Sequence, residues 1–280
     1  MSIRKAANAS FNLIVSLILV SIVVLPLLWV FLLSLKSQAD ILAWPPKFIF
    51  SPTLENYKNI FTSSSTQHLP FMRVFSNSVI ITGVTMIISL SLSALAAYSL
   101  GRLNPKGKMK INYLVLGLRM IPPIAIVVPL YIMWNKFGLY DTRIGLIIPF
   151  IALDIPLSTW LLQGFFEGIP RNLEDAAVID GCTRFEAFYK IILPLAAPGI
   201  AATSIFSFSL SWNNLTLPLP LTLTKAATMP VLASQVRTDE GVLWGQLGAY
   251  STLMIVPMII FTIFASKYLI SGLSSGAVKE

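Results

Sequence analysis

Few side chains in this sequence could carry out chemistry, and many of the acidic ones lie close together. The chain has a single histidine, His68, and a single cysteine, Cys182. These do not suffice for a histidine and cysteine metal cluster, and they leave no nucleophile–base pair for an enzyme. We therefore predict no catalytic residue and no metal site. Five of the twelve acidic residues lie in or just before residues 169–194, namely Glu167, Glu174, Asp175, Asp180 and Glu186.

Polar residues inside apolar runs are the second group of candidates. Ionisable groups are costly there and are treated as functional by default, so Arg119 and Asp154 are candidates for a polar substrate path. The alternative is that they neutralise one another. Trp212, Asn213 and Asn214 combine an aromatic ring with hydrogen-bonding amides, which suits binding of a sugar. The alternative for these three is hydrogen bonding between helices.

The elements that must position these residues are membrane helices. Of 280 residues, 55% are hydrophobic and 11% are charged, whereas soluble domains average roughly 45–50% and about 25%. The shortage of charge excludes a water-soluble domain and a disordered chain. We predict an all-α membrane protein with six transmembrane helices, because six apolar runs can each cross roughly 30 Å of hydrocarbon as a helix. The runs are residues 11–35, 76–100, 111–133, 144–166, 195–217 and 247–270.

Charges between the apolar runs indicate the orientation. The connector 101–110 carries Arg102, Lys106, Lys108 and Lys110 and no acid, which is typical of a cytoplasmic loop. With six spans, both termini then lie in the cytoplasm. The net charge of +8 therefore reflects topology, and no nucleic-acid partner is needed to explain it.

The segment 169–194, between the fourth and fifth runs, is too long for a simple connector. It carries the end signals of two short helices. Asn172 is predicted as the N-cap of the first helix, with Asp175 at the capping-box position. Gly181 is predicted to follow the end of that helix in a left-handed conformation.

The second helix has its own start signal and an apolar face. Thr183 and Glu186 predict a capping box. Apolar residues spaced by three and four predict one buried face, made of Phe185, Phe188, Tyr189 and Ile192. From these residues alone, packing of both helices against the ends of the membrane bundle remains an open alternative to a partner contact.

The same segment resembles the EAA signature of ABC importer permeases. The resemblance is carried by Asp175-Ala-Ala, Gly181, Ile191 and Leu193-Pro194 at the family's spacing, with Asp175 in place of the usual glutamate. It implies a coupling helix that docks on a cytoplasmic ATPase subunit, with Asp175 paired to a basic residue of that subunit. The residues that it assigns to the contact are Glu174, Asp175, Ala176, Ala177, Asp180, Gly181, Phe185, Phe188, Ile191, Leu193 and Pro194.

The rest of the chain, from about Ser34 onward, is similar to the maltose-type permeases of carbohydrate importers. The similar stretches are Pro52-Thr-Leu-Glu-Asn-Tyr57, Phe75-Ser-Asn-Ser78, Ala96-Ala-Tyr98, Ile121-Pro-Pro123 and Trp212-Asn-Asn214. The tail from Gly272 to Lys279 resembles the G-type subunit of such pairs. It implies that Gly276 and Lys279 contact the ATPase.

The resemblance implies a type I ABC importer permease fold. Residues 1–70 would be an N-terminal helix and outer loop, 71–270 the ABC transmembrane domain and 271–280 a cytoplasmic tail. The chain would be the multi-pass subunit that brings a sugar across the cell membrane of a prokaryote. Its partners would be a second permease in a heterodimer, two copies of an ATPase, an extracytoplasmic solute-binding protein and membrane lipid.

The resemblance assigns ATP and magnesium to the partner ATPase, so this chain would bind no cofactor and would not be an enzyme. The residues agree, since Gly101 and Gly107 are separated by five residues and Met109 follows Lys108, unlike a phosphate-binding loop. Two alternatives remain open. One is an importer permease for a polyol, glycerol phosphate or other small polar solute. The other is a stand-alone secondary carrier, which predicts inverted repeats and more intramembrane acids than the sequence shows.

Overall fold

The computed structural model describes residues 3–62, 69–238 and 241–276. The regular structure is helical apart from one short antiparallel hairpin, which confirms the all-α prediction. The α-helices are α1 (Ile3–Ser34), α2 (Gln38–Ile41), α3 (Glu55–Phe61), α4 (Phe71–Tyr98), α5 (Lys108–Leu118), α6 (Pro123–Phe137), α7 (Arg143–Gly168), α8 (Arg171–Ile179), α9 (Arg184–Ala187), α10 (Leu193–Leu195), α11 (Ala197–Trp212), α12 (Pro218–Leu221), α13 (Met229–Ser234) and α14 (Trp244–Gly276). Two π-helical turns are π1 (Ser99–Leu103) and π2 (Phe188–Ile192), and the strands are β1 (Arg237–Thr238) and β2 (Gly241–Val242).

Four helices in the described part of the chain are each long and apolar enough to cross a membrane. They are α1, α4 with its extension π1, α7 and α14. Two further candidates are bent pairs: α5 with α6, at 82°, and Arg184–Leu195 with α11, at 76°. If each bent pair counts as one span, the total is the predicted six.

Prolines account for both bends, and the first of them interrupts a run that the sequence predicts as a single helix. Pro122, which directly precedes Pro123, has an extended backbone with φ −62° and ψ 129°, because a residue before proline is disfavoured in the helical region. The third run therefore breaks between Leu118 and Pro123. The second bend lies at Ala196, at the start of the fifth run and two residues before Pro198, whose ring removes a helical N–H donor.

The chain divides into two compact units. One unit comprises the residues up to Phe71 together with Ala233–Val256. Within it, the Asn56 amide donates to the carbonyls of Ser34 at 2.9 Å and Lys36 at 2.8 Å, which fixes the chain just after α1. The apolar side chains of α1 from Phe11 to Leu32 are largely exposed, as expected for a helix surrounded by lipid.

The other unit comprises Met72–Leu232 and the residues from Pro257 onward, and it holds the helices that position the candidate sites. Small polar side chains are buried along α4, α7 and α11, where membrane helices commonly pack through small and hydroxyl-bearing residues. They are Thr82, Thr85, Ser89 and Ser93 on α4, Ser158 and Thr159 on α7, and Thr203, Ser207 and Ser211 on α11.

Candidate functional site

The first helix of segment 169–194 begins earlier than predicted. Pro170 occupies the N-cap position without a side-chain capping bond, so α8 begins at Arg171 and Asn172 lies within its first turn. The prediction of Asn172 as N-cap is therefore wrong. Because the start is shifted, Asp175 is not at a capping position, and its side chain is exposed.

The turn after α8 has the predicted form. Gly181 has a φ of +92°, in the left-handed region that favours glycine. The amide of Gly181 donates to the carbonyl of Val178 at 3.1 Å, and that of Cys182 donates to Ala177 at 2.9 Å. These two bonds are the Schellman pattern that satisfies the last carbonyls of a helix.

The second helix also starts as predicted. The hydroxyl of Thr183 accepts from the Glu186 amide at 3.2 Å, and the Glu186 carboxylate accepts from the Thr183 amide at 2.9 Å. This reciprocal pair is a capping box and confirms the prediction. The two helices of segment 169–194 are thus joined through a well-defined turn.

The predicted apolar face of the second helix is wrong in part. Phe188 and Ile192 are buried inside the chain, whereas Phe185 and Tyr189 are 68% and 65% exposed. The π-helical turn π2 widens the helix from Phe188 onward, so a spacing of three and four no longer keeps all four residues on one face. Phe188 and Ile192 are therefore core residues, and Phe188 is not the docking residue that the resemblance implied.

The acid beside Asp175 has an internal role. Glu174 is buried, and its carboxylate accepts from the Tyr98 hydroxyl at 2.6 Å and from Nε of Arg102 at 2.8 Å. Tyr98 and Arg102 lie on α4 and π1, so this contact joins segment 169–194 to the second span. The Tyr98 ring packs on Phe188, with ring centroids 4.7 Å apart.

Arg102 also binds the end of α7. Its guanidinium donates to the carbonyls of Phe166, Ile169 and Pro170 at 3.3, 2.5 and 3.5 Å. Carbonyls at a helix C-terminus lack partners in the helix, and a basic side chain satisfies them well. We call the contact among Tyr98, Arg102 and Glu174 the anchor.

Electrostatics keep the anchor charged. Burial by itself raises the pKa of the Glu174 carboxyl, but the hydrogen bonds from Tyr98 and Arg102 lower it by more, so the pKa lies below its ordinary value. The side chains of Arg102 and Glu174 are only 2% and 11% exposed. Paired charges in such a site are costly to separate.

Sequence reasoning missed Tyr98 and Arg102 as site residues. The sequence indicates only a topological role for Arg102, which lies four residues after Tyr98, the end of a stretch that resembles the family. The π-helical turn π1 carries Arg102 toward α7, and no sequence pattern indicates such a turn. The signal that remained was the position of a basic residue immediately after an apolar span.

The other side of segment 169–194 is exposed. Its exposed residues include an acid, a small residue and large apolar side chains. We call Asp175, Ala176, Ile179, Phe185 and Tyr189 the docking surface. Ile179 lies outside the candidate spans and is 84% exposed, and a group of exposed apolar side chains is typical of a surface that contacts another protein.

The remaining residues assigned by the resemblance fall into three groups. Ala177 is buried against the chain, Asp180 and Pro194 are exposed, and Ile191 and Leu193 are half-buried. Leu193 packs on the apolar cluster that contains Phe188. The resemblance therefore assigned to one contact residues that lie on two sides of the segment.

The charged candidates for a substrate path are not brought together. Arg119 is exposed at the end of α5, beside the 82° bend. Asp154 is fully buried on α7. No ion pair between described residues includes either side chain, so mutual neutralisation does not occur in this structure.

The three residues Trp212, Asn213 and Asn214 also have different environments. Trp212 is 1% exposed and packs on Phe208 and Phe75, with ring centroids 5.4 and 6.1 Å apart. Asn213 is exposed and donates to Ser209 at 3.3 Å and to Met258 of α14 at 3.5 Å. The second bond is the predicted alternative, a contact between helices.

Asn214 lies at the start of the connection after α11. Its side-chain oxygen accepts from the Leu217 amide at 3.2 Å, just before α12. A side chain used in this way positions a local turn.

A second structured region lies on the opposite side of the spans from segment 169–194. The Asp141 carboxylate accepts hydrogen bonds of 2.9–3.1 Å from the backbone amides of four successive residues, Leu223, Thr224, Lys225 and Ala226. Burial alone raises the pKa of Asp141, but these amides lower it by more, so it lies below its ordinary value. We call residues 222–229 the clamped turn. The hydrogen bonds fix the backbone of this turn, and Leu223, Thr224 and Lys225 are exposed.

Asn77 and Ser78 hold the other side of the clamped turn. The Asn77 amide donates to the carbonyls of Lys225 at 2.9 Å and Ala227 at 3.0 Å, and Arg143 donates to its oxygen at 2.8 Å. The Ser78 hydroxyl accepts from the Met229 amide at 2.8 Å. Asp141 was missed because nothing near it in sequence indicates amide partners about eighty residues away.

Comparison with known proteins identifies the family and the fold. Residues 90–271 match the model of the binding-protein-dependent transport system inner membrane component family. The chain belongs to this family. The resemblance to ABC importer permeases is confirmed, and the chain is a membrane-spanning transport permease.

The permease has full-length relatives. It is 37% identical to the trehalose transport system permease protein SugB of Mycobacterium tuberculosis, over 98% of this chain and 99% of that one. It is 35% identical to the trehalose/maltose transport system permease protein MalG of Thermococcus litoralis, over 99% of each chain.

A solved structure shares the fold of the permease. A chain of a bacterial ABC transporter involved in the import of the acidic polysaccharide alginate superposes with a TM-score of 0.74 at 21% identity. The superposition covers 96% of this chain and 98% of that one. The fold is that of a type I ABC importer permease.

The structure does not describe the side chains of the two tail residues that were predicted to contact the ATPase. Lys279 lies outside the described residues, and Gly276 is the last residue of α14, beyond the described side chains. His68 likewise lies outside the described residues. A role of the tail therefore stays a prediction.

Proposed function

We propose that this permease is the transmembrane subunit of an ATP-binding-cassette importer that brings a sugar into the cytoplasm. Family membership supports import that depends on a binding protein. The full-length similarity to trehalose and trehalose/maltose permeases supports a sugar as the substrate class. Energy comes from ATP hydrolysis, with magnesium, in a partner subunit.

The observation that carries the coupling role is the two-sidedness of segment 169–194. One side is tied to the chain by the anchor, with Glu174 buried between Tyr98 and Arg102. The other side is the docking surface, with Asp175 unpaired among the described residues and Ile179 84% exposed. A segment fixed on one side and free on the other transmits force between the permease and an ATPase.

The predicted pairing of Asp175 follows from the same geometry. Its carboxylate is exposed and makes no capping bond, so it is available to a basic side chain of the ATPase. Ala176 beside it leaves room for close approach. Aspartate has one methylene less than the family's usual glutamate, so the basic partner must approach closer to the α8 backbone.

The orientation and partners follow from the proposed import. The basic connector 101–110 and segment 169–194 lie in the cytoplasm, together with both termini, and the clamped turn lies outside. The full transporter contains a second, distinct permease subunit, two copies of the ATPase and an extracytoplasmic solute-binding protein in a prokaryotic cell membrane. The tail with Gly276 and Lys279 gives a further contact to the ATPase.

The experiment is reconstitution of the permease with its second permease, ATPase and binding protein in lipid vesicles. We expect ATP-dependent uptake of labelled trehalose or maltose that requires the binding protein. The control is a vesicle that lacks this permease. Uptake of glycerol phosphate or a polyol in place of both sugars would overturn the sugar class but keep the importer. Uptake by this chain alone would overturn the importer.

A further inference from the structure

Asp154 is a buried ionisable group for which the proposed function has no use. It lies in the middle of α7 and is 0% exposed. Its carboxylate accepts from the hydroxyl of Ser89 on α4 and from that of Ser207 on α11. Ser158, one turn along α7, donates to its other oxygen at 3.0 Å. One side chain therefore joins three membrane helices.

The arrangement resists separation of these helices. Ser89 and Ser207 are both 0% exposed, so no water replaces a broken hydrogen bond to the carboxylate. An unpaired carboxylate in an apolar interior is strongly disfavoured. Within the described residues no basic side chain pairs with Asp154, and its side-chain partners are the hydroxyl groups of Ser89, Ser158 and Ser207.

The anchor connects the same three helices, α4, α7 and α11, at a second position along their length. Asp154 precedes Ile169 by fifteen residues, which is about 22 Å along a helix. At the near end, Arg102 and Tyr98 join the end of α4 to segment 169–194, and this segment connects α7 to α11. A single tie would let the helices pivot about it. Two ties about 20 Å apart remove that freedom, since each fixes the helices at a different depth.

We propose that Asp154 is a positioning residue for transport: it ties α4, α7 and α11 so that they move as one body with segment 169–194. This inference rests on the proposed function, because the movement it serves is the one delivered by the ATPase. Movement of the docking surface then rotates all three helices as a rigid body, including the half that lies far from segment 169–194. Rigid-body rocking of this kind is a recognised way to switch a molecule between two states.

The test removes the tie without leaving a buried charge. The triple variant Asp154→Val/Ser89→Ala/Ser207→Ala makes the site apolar at similar volume, and such replacements of buried polar groups are often neutral for stability. Ser158 then bonds a carbonyl of its own helix. The matched variant is Asp154→Asn, whose amide can still bond both hydroxyls and so retains the tie.

The first measurement is sugar transported per ATP hydrolysed by the reconstituted transporter. We expect the triple variant to assemble and melt like the wild type but to lose about fivefold or more in this ratio, the lower end of coupling between distant sites. Asp154→Asn is expected to keep the ratio. An unchanged ratio in the triple variant would overturn the proposal. So would an equal loss in Asp154→Asn, which would make the charge and not the tie essential.

The second measurement is independent of the sugar and of transport. Spin labels replace Val79 on α4 and Phe206 on α11, both exposed, in a Cys182→Ser background. We expect a narrow distance distribution in the wild type and in Asp154→Asn, and a broad one in the triple variant. Equal widths would show that the helices are not held by Asp154. If the wild type transports no sugar, the proposed function fails, but this distance still decides the role of Asp154.

Discussion

At the scale of the residue, the adjacent acids Glu174 and Asp175 have opposite environments. Successive residues of an α-helix point about 100° apart, so one acid can be buried while the next is exposed. Glu174 bonds Tyr98 and Arg102 inside the chain, and Asp175 faces outward. The first acid stabilises the permease, and the second is available to a partner.

Replacement of Asp175 by asparagine is expected to uncouple ATP hydrolysis from uptake while the transporter still assembles. The reason is the loss of a charge-assisted hydrogen bond, worth about 1.5–3 kcal/mol. The measurement is uptake per ATP hydrolysed in vesicles, with subunit content checked by gel. The matched variant Asp175→Glu has the same charge and the family's usual residue and should retain coupling. Normal uptake by Asp175→Asn would remove the basis for the pairing.

Replacement of Glu174 by glutamine is expected to lower the stability of the permease itself. It leaves the Arg102 guanidinium buried without its carboxylate, and breaking a buried pair costs about 3–5 kcal/mol. The matched variant is Glu167→Gln, which breaks a more exposed pair with Lys108 (2.9 Å, side chains 43% and 28% exposed), worth about 0–1 kcal/mol. Thermal unfolding in detergent would show the difference. Equal melting temperatures of the two variants would contradict the role of the anchor.

At the scale of the element, the sequence predicts the spans well because hydropathy depends only on composition along the chain. All six apolar runs correspond to helices or bent helix pairs. The Gly181 turn and the Thr183–Glu186 capping box were predictable because each depends on residues within a few positions. The start of α8 was not, since Arg102, far away in sequence, binds the carbonyls before it.

The division of segment 169–194 into two sides was beyond sequence reasoning for a similar reason. A periodicity of 3.6 places Phe185, Phe188, Tyr189 and Ile192 on one face, but π2 interrupts that periodicity. Burial of Glu174 likewise depends on Tyr98 and Arg102, which come from another span. Patterns local in sequence predict local structure, whereas partners of buried charges are set by tertiary packing.

Replacement of Asp141 by asparagine is expected to loosen the clamped turn. Four backbone amides donate to the charged carboxylate, and bonds to a charged group exceed neutral ones by about 1 kcal/mol or more. Hydrogen exchange at residues 223–226 should therefore be faster by about tenfold. The matched variant Asp180→Asn changes an exposed aspartate on the other side of the spans and should leave this exchange unchanged. An unaltered rate in Asp141→Asn would exclude the clamp.

Acid should have the same effect on the clamped turn as the Asp141 variant. The folded pKa of Asp141 lies below its ordinary value, so its stabilisation is complete above the unfolded pKa of about 3.9. It is lost only as the pH falls through the lower folded value. Protection of residues 223–226, corrected for the intrinsic exchange rate, should be constant from neutral pH to about pH 5. A loss of protection within that range would contradict the assignment.

At the scale of the whole molecule, the two structured regions lie at opposite ends of the same spans. Segment 169–194 follows α7, and the clamped turn is held by Asp141 just before α7 and by Asn77 near the start of α4. The α7 helix therefore runs from one region to the other. In the proposed importer, α7 connects the side on which the ATPase docks to the side on which the binding protein docks, and Asp154 ties it to α4 and α11.

Labelling of cysteines tests which end of the spans faces the cytoplasm. The single cysteine, Cys182, lies in segment 169–194 and is partly exposed, so a membrane-impermeant thiol reagent can reach it from one side only. We expect labelling in inside-out vesicles and none in right-side-out vesicles, because the basic connector 101–110 assigns this side to the cytoplasm. Addition of the ATPase subunit should protect Cys182, since it lies next to the docking surface.

The matched variant is Lys225→Cys in a Cys182→Ser background, which places an exposed thiol on the clamped turn. This thiol should be labelled only from the outside, with or without the ATPase. Labelling of both thiols from the same side would contradict a path of α7 across the membrane. Labelling of Cys182 from the outside and of the Lys225→Cys thiol from the inside would show that the topology is inverted.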